Sequence, residues 1–261
     1  MPARSDVAQR FNGRVDDYER YRPRYPVELI ARLQQRCGLL AEDMVADIGA
    51  GTGMLTELFL ANGNAVVAVE PNAEMRASCG RLQSTFPRLK LVDGTAEATT
   101  LQEASVDLIS AGRAFHWFDP EPTRREFSRI LRPGGWVVLV TLRRGRRDTA
   151  QEEAYEQILL EQGVDYREVI EGYRAYDQPE QFFAGGRVIR ESIDRQQALT
   201  LEELVGQTQS LSVAPIPGHP KYDGMQRALR DHFAHFAEDG LLQIASSCYL
   251  TCIQTASGDT Q

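Results

Sequence analysis

The sequence predicts an α/β protein whose core is an open parallel sheet with helices on both faces. Three observations carry that prediction. Between Met44 and Thr141, short runs rich in Val, Ile and Leu alternate with amphipathic stretches, the pattern of buried parallel strands connected by helices. A turn with three glycines, "GAGTG" at 49–53, follows the first apolar run. Residues that cap and stop helices punctuate the segments between the runs.

The elements follow in order. Residues 14–37 contain "RVDDYERYRPRYP" and then a helical run to Gly38, so a helical arm is expected ahead of the sheet. Strands are expected at 44–48 ("MVADI"), 65–70 ("AVVAVE"), 89–92 ("LKLV"), 106–111 ("VDLISA") and 136–142 ("WVVLVTL"). Between them, helices are expected at 53–62, at 72–85 with Asn72 as N-cap, and at 120–131 with Asp119 as N-cap and Pro120 in the first turn. Residues 148–183 are helical in period and carry Tyr155, Tyr166, Tyr173, Tyr176, Phe182 and Phe183. The last third suggests a strand near 188–197, helices near 201–209 and 221–237, and a strand over 241–254. No repeat or linker divides the chain, so one domain is expected: an arm (1–38), a core (39–142), a helical cap (143–187) and a closing set of strands and helices (188–261).

Composition narrows the function. The 261 residues are 42% hydrophobic and 25% charged, ordinary for a soluble globular chain. Its longest apolar run, "WVVLV", is far below the roughly 20 residues of a membrane span. The start, "MPARSDVAQRF", has no apolar stretch to act as a signal, and the expected location is cytoplasmic. A net charge of −8 disfavours a phosphate backbone as partner. Of the four cysteines, Cys248 and Cys252 would lie roughly 13 Å apart on a strand, beyond disulfide reach, and reduced thiols are expected. His116, His219, His232 and His235 show no metal-ligand clustering.

In an open α/β sheet, ligands bind beyond the carboxyl ends of the strands, which is where the glycine loop lies. Its G-x-G-x-G spacing departs from the G-x-G-x-x-G of dinucleotide sites, and no Lys-Ser or Lys-Thr follows as in phosphate loops. Asp47, at the end of the first strand, repels a pyrophosphate and attracts an ammonium group. Glu70 ends the second strand seventeen residues after Gly53, close to the offset at which an acid receives two ribose hydroxyls. The alternative for the glycines alone is a tight turn. Together with the two acids, they point to a cationic ligand with an adenosine-like ribose and no phosphate.

These residues resemble a known family. "VADIGAGTGMLTELF", "VVAVEPNAEM", "VDGTAEATTL", "VDLISAGRAFHWFD" and "ILRPGGWVVLV" are similar to the successive motifs of class I S-adenosylmethionine-dependent methyltransferases, in the small-molecule (type 11-like) branch. The match covers about residues 10–142. The resemblance implies a Rossmann-like, doubly wound, seven-stranded sheet of order 3-2-1-4-5-7-6 with the last strand antiparallel. It implies S-adenosyl-L-methionine as cofactor, with Asp47 and the loop Gly49, Ala50, Gly51 and Gly53 facing the methionine ammonium. Glu70 would hold the ribose, Pro71 and Met75 would pack near the adenine, Gly94, Thr95, Ala96 and Glu97 would supply the adenine edge, Ala111 would line the cofactor site, and Tyr18, Tyr21, Phe115 and Trp117 would offer aromatic faces near the sulfonium. Tyr18 and Arg22 match a "Y-x-x-x-R-P-x-Y-P" pattern whose arginine would hold the cofactor carboxylate.

For the acceptor, the segment after the fourth strand lacks both the Asn/Asp-Pro-Pro-Tyr of enzymes methylating amino groups of nucleic acids or protein amides and a Pro-Cys nucleophile. A small molecule is therefore the expected acceptor, met by Tyr21, Arg113, Trp117, Tyr173 and Tyr176. Arg113 and "RRGRR" (143–147) would suit a carboxylate on it, although a charge run after a strand also reads as a solvated loop. His116 is the candidate general base, against a scaffold role beside the cofactor. Two other readings keep the same site: intramolecular cyclisation of the cofactor releasing methylthioadenosine, and a non-catalytic binding protein. A monomer or homodimer, with neither nucleic acid nor membrane as partner, completes the expectation.

Overall fold

The computed structural model describes residues 15–145, 149–173 and 186–255. Its elements are α1 (Val15–Tyr21), α2 (Glu28–Cys37), β1 (Met44–Ile48), α3 (Met54–Ala61), β2 (Ala65–Val69), α4 (Ala73–Gly80), β3 (Leu89–Val92), β4 (Val106–Gly112), α5 (Pro120–Ile130), β5 (Leu131–Arg144), α6 (Ala150–Gln162), α7 (Tyr166–Tyr173), β6 (Arg187–Leu199), α8 (Leu201–Gln209), α9 (Tyr222–Phe236) and β7 (Leu242–Gln254). Short 3-10 turns lie at Arg81–Ser84 and Phe115–Trp117.

The strands form one seven-stranded sheet in the order β3-β2-β1-β4-β5-β7-β6. The first five run parallel, and β7 lies antiparallel between β5 and β6, as the resemblance implied. The alternation within each strand sends one set of residues to each face. On one face Val45, Val66, Leu108, Val138 and Val140 pack with Leu29, Leu33, Leu55 and Phe59 of α2 and α3. On the other, Ile48, Val69, Ile109, Val137 and Leu139 pack with Phe127 and Ile130 of α5. Because both faces are covered, the central strands are apolar throughout, which is why their sequence signal is strong.

A third cluster gathers Tyr155, Leu159, Leu204, Met225 and Leu229 from α6, α8 and α9 with Leu199, Leu242 and Ile244. It sits on the ends of the antiparallel β6–β7 pair that lie outside the register with β5, since β5 pairs with β7 only over Ser246–Gln254. A capping box at Thr200 and Glu203 fixes the start of α8.

Some boundaries differ from expectation, each for a physical reason. The arm breaks between α1 and α2, where Pro23 and Pro26 interrupt the helical pattern. The helix expected at 72–85 stops at Gly80 and tightens into a 3-10 turn. Asn72 caps it by accepting from the Met75 N–H at 2.9 Å. β5 begins five residues early: Val106 pairs with Leu131 but Leu108 with Trp136, so "RPGG" bulges out of the ladder, with Gly134 at φ +79°. All four cysteines are thiols, and burial pushes Cys79 and Cys248 up to about 12. Among the described residues, no helix is long and apolar enough to cross a membrane. Tyr176, Phe182, Phe183, Arg146, Arg147 and Phe11 lie outside the described residues.

Candidate functional site

At the carboxyl ends of β1, β2 and β4 lies a cavity of about 170 Å³. It is lined by Tyr18, Gly49, Gly51, Glu70, Pro71, Met75, Thr95, Ala96, Glu97, Arg113 and Trp117, all expected from sequence, and by Asn72, Gly112, Ala114 and Phe118, which were not. A smaller cavity adjoins it through Tyr18, Gly49, Gly51, Gly112 and Arg113, and is lined also by Asp47, Ala50 and Tyr25.

The glycine loop makes this space. Gly49 has φ +68°, and a Cβ there would meet the Ala114 Cβ at 2.6 Å. Gly51, at φ +59°, has open space where a Cβ would stand, which is the cradle a ligand needs. Glu70 is 8% exposed. Its Oε2 accepts from the Gly51 N–H at 2.8 Å and its Oε1 from the Asn72 N–H at 2.9 Å. Burial raises its pKa, and the two N–H groups and Arg76 pull the other way.

Asp47 is 1% exposed. It accepts from Thr56 Oγ1 at 2.6 Å and Ser110 Oγ at 2.8 Å. Burial pushes its pKa up to about 6, against the pull of those hydroxyls. A carboxylate this desolvated, held by neutral hydroxyls beside a small cavity, favours a cation next to it. The two acids and the open glycine cradle therefore fit an adenosyl ligand that carries an ammonium group.

The arm closes one side. Tyr18 lines both cavities, with the Arg22 guanidinium 5.2 Å and that of Arg113 5.7 Å from its ring centre. Burial alone would raise the Tyr18 pKa, but Arg113, Arg22 and a hydrogen bond from Arg22 lower it. Arg22 itself lines neither cavity. It donates to the Ser210 carbonyl at 3.5 Å, and its Nε is buried without a hydrogen-bond partner.

Other expected site residues stand elsewhere. Tyr21 turns away and lies against α8 at Gly206, where a Cβ would overlap its ring, and donates to Glu202 at 2.7 Å. Gly53, at φ +88°, starts α3 with its α-carbon against Cys79 and Leu82. Gly94 packs under the Ala98 and Thr99 carbonyls. Ala111 and Phe115 belong to the core behind the cavity. His116 lies outside the lining, with its ring centre 4.5 Å from that of Trp117. Burial, with Arg22 nearby, drops its pKa to about 3, so it is a poor base at neutral pH. Tyr173 ends α7, which packs against the Phe115–Trp117 turn.

Arg143 and Arg144, at the end of β5, do not face the cavity. Arg143 lies 5.5 Å over the Tyr249 ring, and Arg144 lies 3.6 Å over Tyr155 with Glu152 at 3.4 Å. Of the residues missed by sequence reading, Asn72 lines the site as the neighbour of Glu70 and Pro71, while Ala114 and Phe118 do so by approaching Gly49 from far along the chain. Gly112 is the one that left a trace, as an isolated glycine closing a strand; its Cβ would stand 2.5 Å from the Tyr25 hydroxyl.

Residues 46–139 match a family model described as a methyltransferase domain. An uncharacterised methyltransferase of Mycobacterium tuberculosis is 40% identical over 145 residues, 56% of this chain and 57% of that protein. The chain thus spans about half the length of the curated relatives it matches. The solved structure of a candidate type II methyltransferase from Anaeromyxobacter dehalogenans superposes with a TM-score of 0.64 at 22% identity, covering 90% of this chain and 98% of that one. A phosphoethanolamine N-methyltransferase of Haemonchus contortus, solved with phosphomonomethylethanolamine and S-adenosylhomocysteine, superposes at 0.58 and 15% identity, covering 98% of this chain and 61% of that one. At these identities the two structures speak for the fold. Its matched segment, its successive motifs and its sheet order make the chain similar to the class I S-adenosylmethionine-dependent methyltransferases, with residues 46–139 matching their methyltransferase domain.

Proposed function

We propose that this chain transfers the methyl group of S-adenosylmethionine to a small-molecule acceptor. The observation that carries the reading is Glu70: a buried carboxylate on the cavity wall, oriented by the Gly51 and Asn72 N–H groups. Each oxygen keeps a lone pair for a ribose hydroxyl. Asp47 receives the ammonium, and the apolar walls at Pro71, Met75 and Ala96 receive the adenine; Arg22, expected to hold the carboxylate, lines neither cavity and reaches the Ser210 carbonyl. The bound sulfonium supplies a methyl carbon already activated for displacement. The protein's task is then to align the acceptor and exclude water. Tyr18 closes the crevice from the arm, and its ring faces a cation favourably.

A base is not required from His116, whose burial keeps it neutral. Of the arginines expected to meet a carboxylate on the acceptor, Arg143 and Arg144 stack on tyrosines and Arg113 is engaged by the arm at the cavity wall, while Arg146 and Arg147 lie outside the described residues. A small acceptor is favoured by the missing amino-methylation motif and by the net charge of −8.

The test is to incubate the protein with S-adenosylmethionine and a fractionated metabolite extract and to resolve the products. S-adenosylhomocysteine is expected, formed only with an acceptor fraction and greatly reduced in Glu70→Ala. Methylthioadenosine without S-adenosylhomocysteine would mean cyclisation. Tight cofactor binding with no product from any fraction would mean a binding protein.

A further inference from the structure

Arg113 occupies a costly position. It follows β4 directly, is 9% exposed, and adopts φ +58°, a left-handed conformation that side chains with a Cβ avoid. Its N–H donates to the Val140 carbonyl of β5 at 2.8 Å, so the strained backbone is fixed to the sheet. The guanidinium reaches the arm: Nε donates to the Tyr25 hydroxyl at 3.1 Å and Nη1 to the Pro23 carbonyl at 3.3 Å, while Nη2 lies 3.5 Å from Met54 Sδ. The same group lies 4.9 Å over the Tyr25 ring and 5.7 Å over Tyr18. The neighbour Gly112 leaves room for the Tyr25 hydroxyl that a Cβ would fill.

Two of the arm's other ties are weaker in kind. Arg20–Glu202 and Arg24–Glu57 are ion pairs with both members more than 40% exposed, and such pairs contribute little. Arg113 is the buried charge among the arm's described contacts, and it holds the segment that carries Tyr18 across both cavities.

We infer that Arg113 is a positioning residue that latches the N-terminal arm over the crevice, so that cofactor affinity depends on it through Pro23, Tyr25 and Tyr18 rather than through contact with the acceptor. This rests on the adenosyl-ligand reading above for its affinity arm, and on geometry alone for its exchange arm. The charge stays in place when the arm lifts, but it then loses the partners that its desolvation requires. The latch therefore biases the arm towards closure.

The experiment compares the wild type with Arg113→Gln, Arg113→Lys, Tyr25→Phe and the Arg113→Gln/Tyr25→Phe double variant. Amide hydrogen exchange is measured without ligand, and S-adenosylhomocysteine binding by calorimetry. Arg20→Ala serves as a surface-pair control. Expected are faster exchange across 18–25 in Arg113→Gln and Tyr25→Phe, with β4 and β5 unchanged. Binding should weaken about tenfold in each, the equivalent of one charge-assisted hydrogen bond. The double variant should be no weaker than about twofold beyond the worse single variant, because both remove one coupling. Arg113→Lys should recover part of the affinity, and Arg20→Ala should match the wild type. Unchanged exchange in the arm would overturn the latch. So would additive losses, or exchange rising equally in β4 and β5, which would make Arg113 an ordinary support of the sheet. If the wild type binds no S-adenosylhomocysteine, the reading of the site falls and the exchange of the arm alone decides the latch.

Discussion

Asp47 and Glu70 both border the glycine loop in space and are both buried, yet their surroundings assign them different tasks. Glu70 is oriented by two backbone N–H groups. Glu70→Ala is expected to weaken S-adenosylhomocysteine binding by about 1.5–3 kcal/mol, the range for hydrogen bonds to a charged group, as calorimetry on the folded variant will show. Asp47 is held by two hydroxyls, with a pKa of about 6. Because its folded pKa is raised, the stability linked to its proton is fully present below the unfolded value and is lost as pH rises through about 6. That amounts to a cost on the order of 3 kcal/mol at neutral pH. An ammonium beside the ionised form offsets this cost. Binding of S-adenosylhomocysteine should therefore weaken as pH falls from 7.5 to 5, up to tenfold per unit below about 6. Binding of methylthioadenosine, which lacks the amino-acid end, should not follow. Parallel pH profiles for the two ligands would remove Asp47 from the site. Both acids were legible in the sequence, since each stands at the end of an apolar strand run, one just before the glycine turn and one at a recognised offset after it. Arg113 was legible as a cavity residue but not as a latch, because Pro23, Tyr25 and Met54 are 59 to 90 residues away and no local pattern records them.

Elements followed the same rule. The bounds of β1, β3 and α8 were readable to the residue, because a strong local signal bounds the pattern of each, as the Thr200 capping box starts α8. The bulge in β5 was not, because it depends on register with β4. Nor did the sequence show that α8 supports the arm. Tyr21 and Arg20 reach Glu202, Arg22 reaches Ser210, and the Tyr21 ring fills the space over Gly206. That glycine gives a decisive substitution. In an exposed helix interior, glycine to alanine stabilises by roughly 0.5–1 kcal/mol. In Gly206→Ala the new methyl overlaps the ring, so Tyr21 must leave. Thermal unfolding is expected to change by less than about 1 kcal/mol, while S-adenosylhomocysteine affinity falls and exchange over 15–22 rises. A variant that unfolds earlier without loosening the arm would show that α8 supports only the core.

For the molecule as a whole, the three apolar clusters divide the stability unequally. The two clusters on the faces of the sheet share the central strands, so opening one exposes the other. The third, under α6, α8 and α9, rests on the ends of the antiparallel β6–β7 pair that β5 does not reach. Its polar links to the sheet include the Arg144 stack on Tyr155, and His232 lies in it with both ring nitrogens lacking a hydrogen-bond partner. Burial pushes His232 down to about 4, so it stays neutral above that pH. A region that shares less of the core opens at lower free energy than the global transition. Leu229 is fully buried in this cluster, and truncation of such a residue costs about 2–5 kcal/mol. Leu229→Ala should therefore speed exchange in α6, α8 and α9 while β1, β4 and β5 keep their wild-type protection. Because the arm leans on α8, saturating S-adenosylhomocysteine should restore part of the lost protection in α8, and less in α9, which lies behind it. Equal loss of protection in the central strands would mean that the sheet and the helical layer unfold as one unit. The arm would then close on a support as stable as the sheet itself, and cofactor binding would leave the α8 amides unchanged.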